Sequence, residues 1–327
     1  MKLVQSHNNI VTPFFSVCIE THNRGKTIYR ALDALLTQGI QDFECIIVDD
    51  LSDDNTVAEV LRFIDSEEYQ KKGFHIKMYK NDKHLGGVLN WNSPLSKASG
   101  KYIACLEGDD YYLPNYLHNA FNFINLHPNV GIYSAGSQRR LRRRTGYIKA
   151  VDYFRYMYQL SNICPPSETI FKRLNKSNAP FQYNIKDNVY APEIELLLLI
   201  ASDGWDGFHT KTAEIYREPS TSNANLTWKS FKDRFRILEI YRSHELIDDN
   251  QIRESFNRQY KRAAKRYLYS LSRKNGDSMG LRKGLLSVLE KKNFPGSGFK
   301  LKMLKMVFLL KALGIFKVYF AIKKVIN

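Results

Sequence analysis

Long apolar runs are missing from this chain: no uninterrupted stretch reaches the roughly 18 residues that a membrane-spanning helix needs. The N-terminus also lacks the basic, apolar and small-residue succession of a secretory signal. Neither a membrane span nor secretion is therefore expected. Cysteine is sparse, and none of Cys18, Cys45, Cys105 and Cys164 stands at a metal-ligand spacing. The first three lie in apolar, strand-like runs, where a free thiol behaves as a small hydrophobe. They read as structural residues in a reducing cytosol. Internal repeats and low-complexity segments are absent as well.

What is present is enough for a substantial core: 327 residues, 43% hydrophobic and 13% aromatic. The net charge of +16 is unevenly spread. Residues 1–227 hold 25 basic and 25 acidic side chains, and residues 228–327 hold the remaining 24 basic and 8 acidic ones. Such asymmetry points to a polyanionic partner for the tail, an anionic membrane surface or nucleic acid, with a solvated helical face as the plainer alternative.

Strand-like runs at 15–20, 43–49, 75–79, 102–106 and 129–134 alternate with helical patterns at 26–37, 56–66 and 89–98. This rhythm predicts βαβ units: an α/β fold with a mostly parallel central sheet flanked by helices. Near residue 225 it gives way to long Lys-, Arg-, Leu- and Tyr-rich helical patterns. Two regions follow, 1–225 and a basic α-helical C-terminal extension over 226–327. Between them in character is "SQRRLRRRTG", whose five arginines fall among turn-like residues and so belong on a loop.

In open α/β sheets, ligands bind beyond the carboxyl ends of the strands. Three such ends carry polar clusters here: "IETHNRG", "IIVDDLSDDNT" and "CLEGDDYYLP". Adjacent carboxylates at a strand end repel one another unless a cation or bound partner offsets the repulsion. Hard divalent ions bind through one or two carboxylates with phosphate oxygens completing the shell, which makes Asp109 and Asp110 candidate metal ligands. The plainer role for Asp110 is a helix cap before Pro114. Asp50 is one acid more than the cap supplied by Ser52 or Asp53 requires, and could accept from a nucleobase N–H or a ribose hydroxyl. Glu193 and Glu195 follow Pro192, which suits a helix start, so dipole complementation competes with general-base chemistry for both.

Taken in order, these pieces resemble the family 2 glycosyltransferases of GT-A fold. The stretch "SVCIETHNRGKTIYRALDALLTQGIQDFECIIVDDLSDDNT" is similar to the family's opening strand, turn, helix and "DDGS" strand end, and "ASGKYIACLEGDDYYLPNYL" to its "A.G.YI..LD.DD...P" segment. The resemblance covers about residues 13–222. It implies an inverting enzyme that uses nucleotide-diphosphate sugars, UDP-sugars above all. It also implies a nucleotide pocket lined by Glu20, Thr21, Asn23 and Arg24, with Asp50 on the base. Asp109 and Asp110 would hold Mn²⁺ or Mg²⁺ on the diphosphate, Asp110 being preferred for direct ligation. Glu193 would be the base that deprotonates an acceptor hydroxyl, with Glu195 as runner-up, and "SNICPPSETIFKR" would border the acceptor. Three departures stand out: His22-Asn23 replaces Tyr-Asn, "KHLGGVLNWN" lacks a customary basic residue, and Pro219 in "YREPSTSN" occupies a His position.

The segment 299–327 combines apolar bulk with seven lysines and fits an interfacial helix. With a glycan or lipid-linked acceptor, this implies a cytoplasmic enzyme peripheral to the inner face of the bacterial membrane. No nucleic-acid partner is then expected, and homo-oligomerisation through the tail is the other use for it. Two rival readings are a non-enzymatic nucleotide-sugar or nucleic-acid binder with a degenerate site, and a sugar-1-phosphate nucleotidyltransferase. The latter requires a Gly-rich basic N-terminal loop that "SVCIETHNRGKT" does not have.

Overall fold

The computed structural model describes residues 2–7, 12–138, 145–158, 165–184, 192–218, 228–271, 283 and 286. The five-arginine run at 139–144, Cys164, Pro219 and the lysine-rich segment 299–327 lie outside these residues. The chain divides into two compact units, 1–157 with 161–221 and 158–160 with 222–327.

The strands of the first unit are β1 (Lys2–His7), β2 (Phe15–Thr21), β3 (Phe43–Asp49), β4 (His75–Lys80) and β5 (Tyr102–Glu107), followed by β6 (Tyr111–Tyr112), β7 (Val130–Ser137), β8 (Gly146–Ile148), β9 (Thr169–Lys172) and β10 (Asp206–Tyr216). They form one sheet in the order β1-β4-β3-β2-β5-β9-β7-β10-β6, with β8 paired to β10. At its centre β4, β3, β2 and β5 run parallel. Their crossovers contain α1 (Ile28–Leu35), α2 (Thr56–Ile64), α3 (Glu67–Lys72) and α4 (Asn92–Leu95). The expected α/β architecture is therefore present. Beyond β5 the antiparallel β9 inserts between β5 and β7, and β7 then pairs in parallel with β10.

Apolar continuity explains the centre. Every residue of β3, and all but Glu20 of β2, is buried, as parallel strands covered on both faces require. Helix α1 turns Ile28, Ala31, Leu32 and Leu35 onto the sheet, and α2 contributes Val60, Phe63 and Ile64. Helix α5 (Tyr116–Leu126) adds Tyr116, Leu117, Ala120 and Ile124 to the same core. Gly100 admits the close approach of this turn to β2: a Cβ there would lie 2.6 Å from the Ser16 amide nitrogen.

Two local expectations differ from what is found. The helix expected over 89–98 is a 3-10 turn at Gly87–Asn90 followed by the four-residue α4. Pro94 has no N–H for a longer helix, and Asn90 is drawn inward to accept from Asn81 Nδ2 at 2.9 Å. At the start of α2 neither Ser52 nor Asp53 is the cap: Asn55 holds the N-cap position, Asp54 before it accepts from the Thr56 amide at 2.9 Å, and Ser52 turns back to Asp49. The remaining helices of the first unit are α6 (Ala150–Tyr158), which runs across the division between units, and α7 (Pro192–Ser202). Helix α7 begins at Pro192 as expected and buries nearly all of its length.

The second unit contains α8 (Trp228–Ile240) and α9 (Asp249–Leu271). They pack on one another with Phe235 and Phe256 in contact, ring centroids 6.1 Å apart, and Phe231, Leu238 and Ile252 are buried on the same two helices. Among the described residues no helix is long and apolar enough to cross a membrane.

At the amino end of the parallel strands a buried carboxylate acts as a rivet. Glu44 is fully buried and accepts from the Ser16 hydroxyl at 2.7 Å and the Ser99 amide at 2.7 Å. It also takes the Ser99 hydroxyl at 2.6 Å and Lys77 Nζ at 3.2 Å. Burial opposes its ionisation, but these donors win and hold the carboxyl below its ordinary 4.5. Glu44→Ala leaves buried donors unmatched and is expected to cost about 2–4 kcal/mol in urea unfolding at neutral pH. Because the folded value is depressed, the contribution of Glu44 is complete above pH 4.5 and fades as pH falls below it. The gap between wild type and variant should narrow in acid.

Candidate active site

Register places the acids. Parallel β2 and β5 pair Cys18 with Cys105 and Glu20 with Glu107, while β2 and β3 pair Thr21 with Asp49. Since alternate residues share a face, two thiols form a floor and two carboxylates stand above it. Both pairs line one cleft, walled by Trp91, Pro94, Leu95, Pro166 and Tyr183. All three described cysteines are free and buried, and burial raises the Cys18 and Cys105 thiols.

The carboxylates crowd as a consequence. Burial first, then Asp110, with Arg217 opposing and Glu20 and Asp109 adding to the rise, pushes Glu107 up to about 8. Burial likewise lifts Glu20 to about 7, against Arg24 and a hydrogen bond with Trp91, with Asp109 and Asp50 adding to the rise. Asp109 is also raised, by burial first, with Arg24 opposing. Gly108 permits the close packing of the acidic turn on β2, for a Cβ there would meet Thr21 Oγ1 at 2.9 Å. Thr27 Oγ1 donates to the Gly108 carbonyl at 2.9 Å and fastens the turn to α1.

Glu20 faces the cleft. Thr21 is buried against Gly108, its hydroxyl without a hydrogen-bond partner. Asn23, at φ +54°, works as a latch: its amide donates to Ser52 Oγ at 2.9 Å and its side-chain oxygen accepts from the Asp53 amide at 3.0 Å. Arg24 pairs with Asp109 at 3.2 Å on the open side of the rim. Asp50 is buried and accepts from Asn81 Nδ2 at 2.7 Å, the Leu85 amide at 2.9 Å and the Gly86 amide at 2.8 Å. Those donors, with His84, outweigh burial and lower its pKa. Asp50 thus holds the 81–86 loop, and His22 and His84 flank it with ring centroids 4.4 Å apart.

Asp110 does not cap a helix. Its Oδ2 takes Arg217 Nε at 3.1 Å and its Oδ1 the Glu218 amide at 3.0 Å. Glu193 and Glu195 are both buried in the first turn of α7. Glu195 accepts from Asn184 Nδ2 at 3.3 Å. Glu193 is near enough to the cleft residue Tyr183 to be among the charges that, after burial and Cys105, raise that phenol. Glu20, Asp50, Glu107, Asp109 and Asp110 thus share one rim, with Glu193 beside the wall of its cleft.

Residues 16–175 match the family model described as glycosyl transferase family 2. Over those residues the chain belongs to that family. An uncharacterized glycosyltransferase of Methanocaldococcus jannaschii is 31% identical over 121 residues, 37% of this chain and 40% of the relative. The matched stretch therefore spans less than half of that protein. The Escherichia coli UDP-Glc:alpha-D-GlcNAc-diphosphoundecaprenol beta-1,3-glucosyltransferase WfaP is 27% identical over 230 residues, 70% of this chain and 85% of that enzyme. Among solved structures, S. aureus TarS 1-349 in complex with UDP-GlcNAc aligns at TM-score 0.63 and 20% identity, covering 84% of this chain and 80% of that one. That likeness fixes the fold as GT-A.

Set against the family's segments, two residues were not singled out from the sequence. Glu107 stands where "LD.DD" has its first Asp, a position readable from the motif alone. Arg217 ends the "YR" pair of "YREPSTSN", and its link to Asp110 crosses 107 positions, which no local pattern reveals. Among the described residues no three acidic, His or Cys side chains converge at ligating distance. The donor set is nevertheless of the right kind for a hard divalent ion: carboxylate oxygens, mutually repelling, on a partly open rim.

Leu51, where the family's "DDGS" carries glycine, has φ +60°. Leu51→Gly relieves about 1–2 kcal/mol of left-handed strain and gives back about 0.5–1 in unfolded-state entropy, so the urea midpoint should rise. For Glu107 and Glu20 the folded values exceed the ordinary 4.5, so the folded chain holds extra protons. Stability should therefore fall as pH rises from 4.5 to about 8, and Glu107→Gln should flatten that fall in unfolding curves across the range.

Proposed function

We propose that this protein is an inverting glycosyltransferase that moves a sugar from a UDP-sugar to a hydroxyl of a lipid-linked glycan in bacterial surface polysaccharide synthesis. The observation that carries the reading is the shared rim, where the strand ends gather five carboxylates beside a cleft next to Glu193. The WfaP relative, by its name, uses UDP-Glc and a diphosphoundecaprenol-linked acceptor, which supports a UDP donor and an acceptor of that class.

In this reading the nucleoside lies over the ends of β2 and β3. Asp50 shapes that pocket by holding the 81–86 loop, and the His22–His84 pair lines it where the family has tyrosine. The diphosphate lies over the end of β5. A divalent ion, Mn²⁺ or Mg²⁺, would be held by Asp109 with Glu107 and Asp110, and when bound supplies positive charge against the leaving diphosphate. Trp91 and Tyr183 wall off water beside the anomeric carbon. Glu193 takes the proton from the acceptor hydroxyl as its oxygen bonds to that carbon and the bond to diphosphate breaks; one displacement inverts the centre. Glu195, fixed by Asn184, orients the turn.

The 24 basic side chains of residues 228–327, against 8 acidic ones, support peripheral attachment to an anionic membrane face. Co-sedimentation with anionic liposomes should be lost when residues 300–327 are deleted. An undiminished pellet would contradict that attachment.

Thermal stabilisation by UDP-, GDP- and dTDP-sugars with Mn²⁺, followed by turnover on a polyprenyl-diphosphate-linked sugar, tests the central reading. UDP-sugars are expected to stabilise, and Glu193→Gln is expected to lower kcat about 10²–10⁴-fold with UDP affinity unchanged. Absence of binding for all three nucleotide classes would overturn it. A full rate in Glu193→Gln, with loss in Glu195→Gln, would move the base to Glu195.

A further inference from the structure

We propose that Arg217 is an internal counter-ion that competes with the divalent cation for Glu107 and Asp110, and so sets how tightly the protein takes that cation. The inference rests on the glycosyltransferase reading above.

Arg217 is built into place. Antiparallel β10 and β6 pair Ile215 with Tyr112 and Tyr216 with Tyr111, so the next positions on each strand are Arg217 and Asp110. The rings of Tyr111 and Tyr216 stack with centroids 4.6 Å apart and 15° between planes. Arg30 lies over both, 4.8 Å and 5.4 Å from their centroids, and reaches Glu218 at 2.6 Å. The backbone of Arg217 is fixed by Gln138, which accepts from its amide at 3.0 Å and donates to its carbonyl at 2.9 Å. From this mount the guanidinium donates through Nη2 to Glu107 Oε2 at 2.9 Å and through Nε to Asp110 Oδ2 at 3.1 Å.

Those two oxygens belong to the acids that the donor-side cation needs. The rim carries Glu20, Glu107, Asp109 and Asp110 against two guanidiniums, Arg24 and Arg217. Positive charge beside a carboxylate weakens its hold on a second cation by the same Coulomb attraction that lowers an acid's pKa beside arginine. An arginine never loses its charge in this range, so the competition does not depend on its protonation. Once displaced from the carboxylates, the guanidinium would be free to pair with diphosphate oxygens in their place. Arg217 is thus a positioning residue that trades one set of anions for another.

The trade predicts effects of opposite sign, which a merely structural role does not. Binding of Mn²⁺ alone, followed by the EPR signal of the free ion, is expected to tighten on the order of tenfold in Arg217→Gln relative to wild type. Binding of UDP at saturating Mn²⁺, followed by calorimetry, is expected to weaken in the same variant. Should Arg217→Gln fail to fold, Arg217→Lys keeps the charge but loses the two-pronged contact, and a smaller gain in Mn²⁺ affinity is expected. Mn²⁺ affinity that is unchanged or lower in the folded variant overturns the inference, as does UDP affinity that rises with it. A wild-type protein that binds Mn²⁺ but no nucleotide would instead strike at the glycosyltransferase reading, so the two failures are distinguishable.

Discussion

Repulsion among carboxylates that the sheet forces together is the constraint on which the rest of the site depends. Parallel register aligns Glu20 with Glu107, and the turn after β5 folds Asp109 and Asp110 back beside them. Neither strand can slip to relieve the crowding, because both faces of β2 and β5 are buried and a one-residue shift would move every side chain to the opposite face and undo the packing on each. The protein meets the problem with raised glutamate pKa values, with Arg24 and Arg217, and with Thr27 and Gly108 holding the turn where it is.

The two ends of the sheet make a useful contrast. At the amino end Glu44 is fully buried, yet its oxygens are met by Ser16, Ser99 and Lys77, which favour its ionised form. At the carboxyl end the acids outnumber their donors, and their pKa values rise instead. The same residue type therefore stabilises one rim and burdens the other. A burdened rim is where a cationic ligand gains most, since binding relieves a repulsion already present.

The centre of the fold was legible because it is buried on both faces: β2, β3 and β5 read as continuous apolar runs, and polar clusters mark their ends. Elements with mixed exposure were not. Edge strand β1 shows Leu3 and Val4 to solvent, β6 is two residues long, and β10 mixes buried, half-buried and exposed positions without a regular period. The break of the expected 89–98 helix needed knowledge that Asn90 is pulled inward by Asn81. In the site, the acids at strand ends could be read as a set because their spacing follows the strands. That Asp50 holds the 81–86 loop, and that Arg217 reaches Glu107 and Asp110, depend on pairings 31 to 110 positions apart, which only the assembled sheet creates.

A crystal structure of the full chain with UDP and Mn²⁺, with the ion located by its anomalous signal, tests the central claim most directly. The account predicts a manganese peak among Asp109, Glu107 and Asp110, with the Arg217 guanidinium moved from those oxygens toward the diphosphate. A peak remote from that rim, or UDP held elsewhere on the chain, would contradict it.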